Sequence, residues 1–476
     1  MKLPIIHKII VISTIVYMVL FFVGSYAFSF AYPFSHLNDT DLFSFPYVFF
    51  QIVRFSFFLL LPLASFYSYR IPKNIVKILF PVLSLCLLFF FDSYTGLDKL
   101  DASLPFYNSN NLSQTQIEIY NKINLFLPSW FIKAEYLLEV FLVFFVSVLF
   151  LFTGRIEKKD FLSLLYFPLF LVLSLPLNLS ENVTRTFSER TNEIFYFSNY
   201  SVWHFLLFFL VILSTLVFYF ALRKKSRERK LYVLRILCMT MMLQFFHKNS
   251  MLVGDGYNIY NHVYASIPLF ICDIGKYIVF LAVMLDRKWF YQCAFFVHSA
   301  GALTVFFYFG KEGTKNFGTI FSYSFLYFTI THIFLFLLSV LPVYLGMIKF
   351  RLKSILSSSF YYFAVILVAA FTSVAITNLS ATLTDSLGNA LPTPIYPNFA
   401  FTQICPLPME FFTFLNVKIG NCEINFVYEI MLFISYLTLF STFLGFNEGM
   451  FYLVRRYREK KQNETEAAEG NHEKTL

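Results

Sequence analysis

Long runs of apolar residues, separated by short polar or basic segments, constrain most strongly how this chain folds. A helix needs about 20 apolar residues to cross a hydrocarbon core of about 30 Å, and such runs recur about twelve times along the chain. Because lipid offers no partners to backbone polar groups, these segments must be helical. The sequence therefore predicts an all-α, polytopic membrane protein. The expected spans are Ile9–Tyr32, Pro46–Tyr69, Ile75–Phe91, Ala134–Gly154, Phe161–Leu177, Val202–Leu222, Leu231–Phe246, Val263–Leu285, Trp289–Gly310, Thr319–Ile348, Ile355–Thr377 and Phe426–Phe446.

Basic residues mark one side of the predicted membrane. They collect in every second loop between the spans, and the intervening loops are weakly charged or polar. Because Lys and Arg gather in short cytoplasmic loops, both termini are expected to be cytoplasmic. The formal net charge of +9 reflects this topology and an attraction to anionic membrane lipids, and not nucleic-acid binding. The basic segments are Arg70–Lys77, Arg155–Lys159, Arg223–Lys230, Asp286–Lys288, Lys349–Lys353 and Arg455–Lys461.

The longest basic loop divides the chain into two groups of helices. We predict an N-terminal bundle of about six spans over residues 1–222 and a basic cytoplasmic linker at 223–230. A second membrane domain of about six spans follows at 231–446. No internal repeat relates the two groups. Residues 447–476 are polar and charged, and are expected to form a disordered cytoplasmic tail.

A single imidazole lies inside the apolar run "FTITHIFLFLL", Phe328–Leu338. An ionisable side chain near a bilayer centre costs about 2.5–3.5 kcal/mol on insertion scales, so His332 is either a functional group or a hydrogen-bonded packing residue. Thr329 and Ser339 share a helical face with it, which marks a side that contacts protein. We therefore expect His332 to face the interior of the bundle. His298, in the ninth span, presents the same two alternatives.

The eighth span holds three reactive or charged side chains within one helical turn. Asp273 and Lys276 are three residues apart in "IPLFICDIGKYIVF", so they share a face and can neutralise each other. Cys272 and Lys276 are four apart, and a nearby ammonium favours the thiolate form of a cysteine. The segment is thus either a structural ion pair or the surroundings of an activated nucleophile.

Arg54, in the second span, needs a partner at membrane depth. It forms either a structural pair or part of a polar cavity. Of the six cysteines, only Cys405 and Cys422 share a predicted outside loop, where they form a disulfide if that side is oxidising and they lie close enough. No metal-ligand spacing is present, and no metal or cofactor is expected.

Three segments resemble a known family. "IPLFICD", "SAGALTVFF" and "FTITHIFLF" are similar to motifs of the YwaF-like bacterial integral membrane proteins, whose pattern runs Pro-Leu-His-Leu-Cys, Gly-Gly-Ala and a membrane His. The resemblance covers about Leu231–Phe446, under half of the chain. Cys272, Gly301 and His332 fit the family positions, whereas Phe270 replaces its usual His.

This resemblance implies a function in lipid chemistry. The family is similar to the transmembrane ether-phospholipid acyltransferase and to the androgen-induced hydrolases of fatty-acid esters of hydroxy fatty acids, which pair a Cys or Thr nucleophile with a membrane His. By that similarity Cys272 is the nucleophile and His332 is the base. Asp273 would orient the histidine as a third member. Membrane lipids are the implied partners.

Two other functions remain open at this stage. A secondary transporter fits about twelve spans in two halves with cytoplasmic termini. A non-catalytic scaffold subunit would use Asp273, Lys276 and His332 only as a structural polar network. The 67 phenylalanines and the abundance of Asn, Ile and Lys are typical of a small-genome bacterium, so we expect the bacterial plasma membrane.

Overall fold

The computed structural model describes the chain in several segments. These are residues 3–31, 45–89, 129–174, 195–251, 269–307, 319–349, 353–381 and 416–425, with single positions between 427 and 457. Six helices in this part are long and apolar enough to cross a membrane. They are Ile5–Phe22, Arg70–Leu88, Lys133–Leu151, Val202–Leu222, Phe325–Tyr344 and Ser354–Leu379. The all-α membrane class is confirmed, while the full number of spans and the side on which the termini lie stay predictions.

The N-terminal part is a group of packed apolar helices. The helices are α1 (Leu3–Ala31), α2 (Phe45–Ser65), α3 (Arg70–Leu88) and α4 (Ser129–Leu151). A 3₁₀ segment, Lys158–Tyr166, then leads into the short helix α5, Phe167–Ser174. Helix α3 packs against α2 and α4, and α1 packs against α4. The predicted span at 161–177 therefore begins as a 3₁₀ segment and not as a regular α-helix.

The C-terminal part contains the residues of the predicted reactive site. Its helices are α6 (Val202–Leu222), α7 (Arg227–Met251), α8 (Ile271–Leu285), α9 (Lys288–Cys293), α10 (Ser299–Phe307), α11 (Tyr323–Tyr344) and α12 (Lys353–Ala381). Helix α6 coincides with the span predicted from its apolar run. Helix α8 packs against α7 and α11, which brings the eighth and tenth predicted spans together.

A π-helical turn, Ala294–His298, joins α9 to α10. Such a turn accommodates one extra residue in a helix and often occurs at functional sites. All five of its residues are buried. The His298 ring lies against Gly275 of α8. The ninth predicted span is therefore helical with a local widening that the apolar pattern does not reveal.

Helix α7 joins the two parts in one core. It packs against α1 and α2 on one side and against α8 and α11 on the other. The Phe246 ring lies 4.4 Å from the Phe22 ring and 5.8 Å from the Phe21 ring, measured between centroids. Near the other end of the helix, Arg235 donates from NH1 to the Tyr69 hydroxyl at 2.7 Å. Aromatic packing and one polar contact thus connect helices that are distant in sequence.

A short antiparallel hairpin follows the C-terminal helices. Strand β1 (Val417–Ile419) pairs with β2 (Cys422–Ile424), and Gly420 adopts φ +63° in the turn. Asn378 of α12 accepts from the Asn421 amide at 2.7 Å, which fixes the hairpin to the end of that helix. Cys405 and most of the predicted tail lie outside the described residues, so the disulfide and the disorder of the tail stay predictions.

Candidate active site

The first turn of α8 carries the predicted reactive residues. Phe270 caps the helix, and its carbonyl accepts from the Asp273 amide at 2.9 Å and from the Ile274 amide at 3.0 Å. Cys272 is half-buried, whereas Asp273 and Lys276 are buried. The backbone amides of a first turn present partial positive charge, which favours an anion there. The half-buried thiol of Cys272 therefore lies at the positive end of the α8 dipole.

Lys276 forms the centre of a buried polar cluster. Its Nζ donates to Asp273 Oδ1 at 2.6 Å and to the Tyr327 hydroxyl of α11 at 3.0 Å. The same nitrogen lies 4.6 Å from the centroid of the Phe245 ring of α7, within cation–π range. The predicted pairing of Asp273 with Lys276 is confirmed. The ion pair also connects three helices through a carboxylate, a phenol and an aromatic face.

His332 of α11 is buried inside the protein, at 5% exposure. Its Nδ1 bonds to the Phe328 carbonyl at 2.8 Å, and the two rings stack at 4.0 Å between centroids. The Phe306 ring of α10 meets the imidazole edge-on at 6.3 Å. Because a carbonyl only accepts, Nδ1 carries the hydrogen and Nε2 keeps a lone pair. This is the tautomer that a general base needs.

The polar stripe predicted on α11 is also buried. Ser339 donates to the Leu335 carbonyl at 2.7 Å, which satisfies its hydroxyl within the helix. The Thr329 hydroxyl is buried and has no hydrogen-bond partner among the described residues. The face that holds His332 therefore contacts protein, in agreement with the sequence pattern.

A second histidine lies on the opposite flank of α8. His298 Nε2 bonds to the Tyr361 hydroxyl of α12 at 2.8 Å. A β-carbon on Gly275 would lie 2.6 Å from His298 Nδ1, so the imidazole fits only because that residue is a glycine. His298 thus connects the π turn, α8 and α12. These contacts favour the packing role for this histidine.

The contacts place the predicted residues in three groups. Asp273 bonds to Lys276, while His332 bonds to Phe328, and Cys272 lies at the helix start beside the ion pair. The pairing of Cys272 with His332, and the orienting role of Asp273, stay predictions. Sequence reasoning missed Tyr327, which shares a helical face with Thr331 and gives no local signal.

Two further partners were missed for the same reason. Tyr361 holds His298 from a helix that lies 63 positions further along the chain. His204 of α6 bonds through Nε2 to the Phe306 carbonyl at 2.6 Å, and its Nδ1 accepts from the Tyr200 amide at 2.9 Å. These bonds join α6 to the helix that flanks His332. The apolar surroundings of His204 were the available signal.

The N-terminal helices hold a separate buried ion pair. Arg54 Nε of α2 donates to both carboxylate oxygens of Glu139 of α4, at 2.7 and 2.9 Å. Its NH2 donates to the Phe21 carbonyl of α1 at 3.2 Å. Both side chains are nearly inaccessible. Arg54 therefore forms a structural ion pair, the first of the two alternatives that the sequence left open.

Helices of membrane length with ion pairs buried among them define a polytopic α-helical membrane protein. Residues 196–413 match the TMEM164 family, a family of transmembrane proteins. The matched segment is less than half of the chain and includes Cys272, Asp273 and His332. No curated protein and no solved structure matches the chain. The resemblance of the C-terminal part to a transmembrane family is thus confirmed, while the YwaF-like assignment stays a prediction.

Proposed function

We propose that the C-terminal helices form an intramembrane enzyme that transfers or hydrolyses the acyl groups of membrane lipids. Cys272 is the nucleophile, His332 is the general base, and the substrates are ester lipids of the cell membrane that holds the protein. A lipid ester buried in a bilayer can be attacked only by groups at the same depth. Both side chains belong to helices that pack against each other.

The observation that carries this proposal is the hydrogen bond between His332 Nδ1 and the Phe328 carbonyl. It holds the neutral imidazole in the tautomer with a basic Nε2. Burial excludes bulk water from the ring, which limits hydrolysis in an acyl transfer.

The chemistry proceeds in two steps. His332 Nε2 takes the proton of the Cys272 thiol, and the thiolate attacks the ester carbonyl of the lipid to give a thioester. The departing alkoxide receives the proton from His332. An acceptor alcohol or water, deprotonated by His332, then attacks the thioester and restores the thiol. An alcohol gives acyl transfer and water gives hydrolysis.

The proposed roles of the neighbouring residues follow from charge. The Lys276 ammonium lies one turn from Cys272 and favours an anion near it. Asp273 neutralises that ammonium when the thiol is protonated, so the cluster is balanced in the resting state. We extend the proposal to Asp273 as the third member of the site, which orients the His332 imidazole.

Alkylation of the full-length protein in nanodiscs with a lipophilic maleimide tests the pair. Cys86 of α3 is also half-buried and serves as the control thiol in the same sample. We expect His332→Gln to slow alkylation of Cys272 sharply, because glutamine keeps a hydrogen bond but is not a base. The rate at Cys86 should not change. Equal rates at Cys272 in the wild type and His332→Gln would overturn the catalytic pair.

A direct assay tests the reaction itself. The wild type is incubated in vesicles of ester-linked phospholipid, and released or transferred fatty acyl groups are measured by mass spectrometry. Cys272→Ala should abolish turnover, and Cys86→Ala should leave it unchanged. Equal turnover in Cys272→Ala and the wild type would contradict the nucleophile assignment. Solute uptake without acyl turnover would instead support the transporter, and neither activity would support the scaffold.

A further inference from the structure

Two buried glutamates lie one turn apart on α4 and share one cation. Glu135 is 4% exposed and Glu139 is 1% exposed. Arg54 binds Glu139 through both carboxylate oxygens, and its guanidinium stacks over the Phe21 ring at 4.4 Å. The positive charge of Arg54 is therefore committed to Glu139. The second carboxyl, that of Glu135, has no hydrogen bond to a cation among the described residues.

Glu135 has an unusual hydrogen-bonding state. Both of its oxygens are buried and have no donor among the described residues. Glu135 and Glu139 are four residues apart, so their carboxyls lie on the same face of α4. Two oxygen atoms form a hydrogen bond only if one of them carries hydrogen. Because Glu139 already accepts from Arg54, Glu135 is the carboxyl that would carry such a hydrogen.

The neighbouring helices present polar groups other than cations near Glu135. Helix α1 contributes the Tyr17 hydroxyl, which donates to the Arg54 carbonyl at 3.2 Å. Helix α3 contributes the Leu87 carbonyl, which accepts from Tyr136 at 2.8 Å. On α4 itself, Lys133 is two residues away and therefore points to another side of the helix. Within the described part of these helices, Arg54 is the cation that faces the two carboxyls.

A nearby acceptor points to the same conclusion. Gln51 precedes Arg54 by three residues on α2, and its Oε1 is buried without a donor among the described residues. The ring of Phe50 of α2 lies 4.7 Å from that of Tyr136 of α4, so the two helices are in contact at this level. Buried acceptors without donors are expensive, and an isolated carboxylate is the most expensive of them.

We propose that Glu135 binds one exchangeable proton, so that the N-terminal helices carry a proton-binding site at membrane depth. In the protonated state Glu135 donates to Glu139, and the cluster of Arg54, Glu139 and Glu135 is neutral. Release of the proton to water leaves two carboxylates that compete for Arg54. The single guanidinium would then be drawn from Glu139 toward Glu135. This site is independent of Cys272 and His332.

Infrared spectroscopy of the full-length protein in nanodiscs tests the proposal. At neutral pH the wild type should show the carbonyl band of a protonated carboxylic acid that shifts in D₂O. Glu135→Gln should remove this band, whereas Glu423→Gln, at an exposed position of β2, should keep it. Glu139→Gln should also remove it, because Glu135 then ionises to pair with Arg54. A band that persists in Glu135→Gln overturns the proposal.

Two further measurements keep the test decisive. If Glu135→Gln does not fold, wild-type protein with ¹³C-labelled glutamate is used, and the absence of a protonated glutamate band overturns the proposal. Thermal unfolding is also compared in sodium chloride and choline chloride. Stabilisation by sodium that requires Glu135, together with the absence of the acid band, would assign the site to a metal cation and exclude the proton.

Discussion

Gly275 and His298 are in contact so closely that a β-carbon on the glycine would lie 2.6 Å from the imidazole Nδ1. This contact fixes the distance between α8, which carries Cys272, and the π turn. The imidazole in turn bonds to Tyr361 at 2.8 Å. The position of α8 thus depends on the absence of a side chain at Gly275.

Gly275→Ala should destabilise the protein by about 1–3 kcal/mol, the usual cost of overpacking a core. The added methyl must displace His298 and weaken its bond to Tyr361. Thermal unfolding measures the effect. Gly154→Ala is the matched control, because nothing lies within 4 Å of the β-carbon that it adds. Gly275→Ala should cost less when it is made in a His298→Ala background, and an equal cost in the two backgrounds would contradict this account.

Lys276→Met should cost about 3–5 kcal/mol, because it leaves the buried Asp273 carboxylate without its counter-ion. Replacing both residues with Leu should cost less, since apolar groups often substitute for a buried ion pair without loss. Unfolding free energies of the single and double variants test this. A double variant that is less stable than Lys276→Met would show that the two charges have no mutual role.

Asp160, in the 3₁₀ segment between α4 and α5, should make the stability of the folded protein depend on pH. The amide of Glu157 donates to it at 3.0 Å, and this bond, with Lys77 and Asn74, holds the pKa of the carboxyl below its usual value. A lowered pKa adds stability above the unfolded pKa of about 3.9, and that stability is lost as the pH falls through the folded pKa. Asp160→Asn should therefore lower Tm at pH values above this range.

The difference in Tm between the wild type and Asp160→Asn should shrink as the solution is made more acidic, because the wild type then loses its carboxylate. Thermal unfolding across a series of pH values measures it. Glu423→Gln, an exposed acid on β2, should change Tm little at any pH. A difference for Asp160→Asn that stays constant on acidification would rule out the ionised carboxyl as its cause.

Single cysteines test the predicted orientation. Lys224→Cys lies in the basic segment between α6 and α7, and Lys418→Cys lies on the exposed face of β1. Because basic loops are cytoplasmic, an impermeant maleimide should label Lys418→Cys in intact cells and Lys224→Cys only after permeabilisation. Wild-type labelling gives the background. Labelling of both positions from one side would contradict the predicted topology.

The sequence predicts local features of this fold well. Apolar length placed the helices, and the spacing of Asp273 and Lys276 predicted their pairing. Arg54 was expected to need a partner, but the glutamate that binds it, Glu139, is 85 positions away. Nothing in the spacing of the residues identifies Glu139 as that partner. The π turn was missed because one extra residue does not change an apolar run. Tertiary partners depend on which helices pack together, and periodicity alone does not determine this.

Helix α7 has a consequence for how this protein evolves. Its Phe246 ring packs on Phe22, and its Arg235 donates to Tyr69. One face of the helix is therefore covered by the N-terminal helices. Without the N-terminal helices, the segment that matches the TMEM164 family would expose this face of α7. Phe246 would then have to pack against lipid or another subunit. Substitutions on this face of α7 should therefore accompany any gain or loss of the N-terminal helices among related chains.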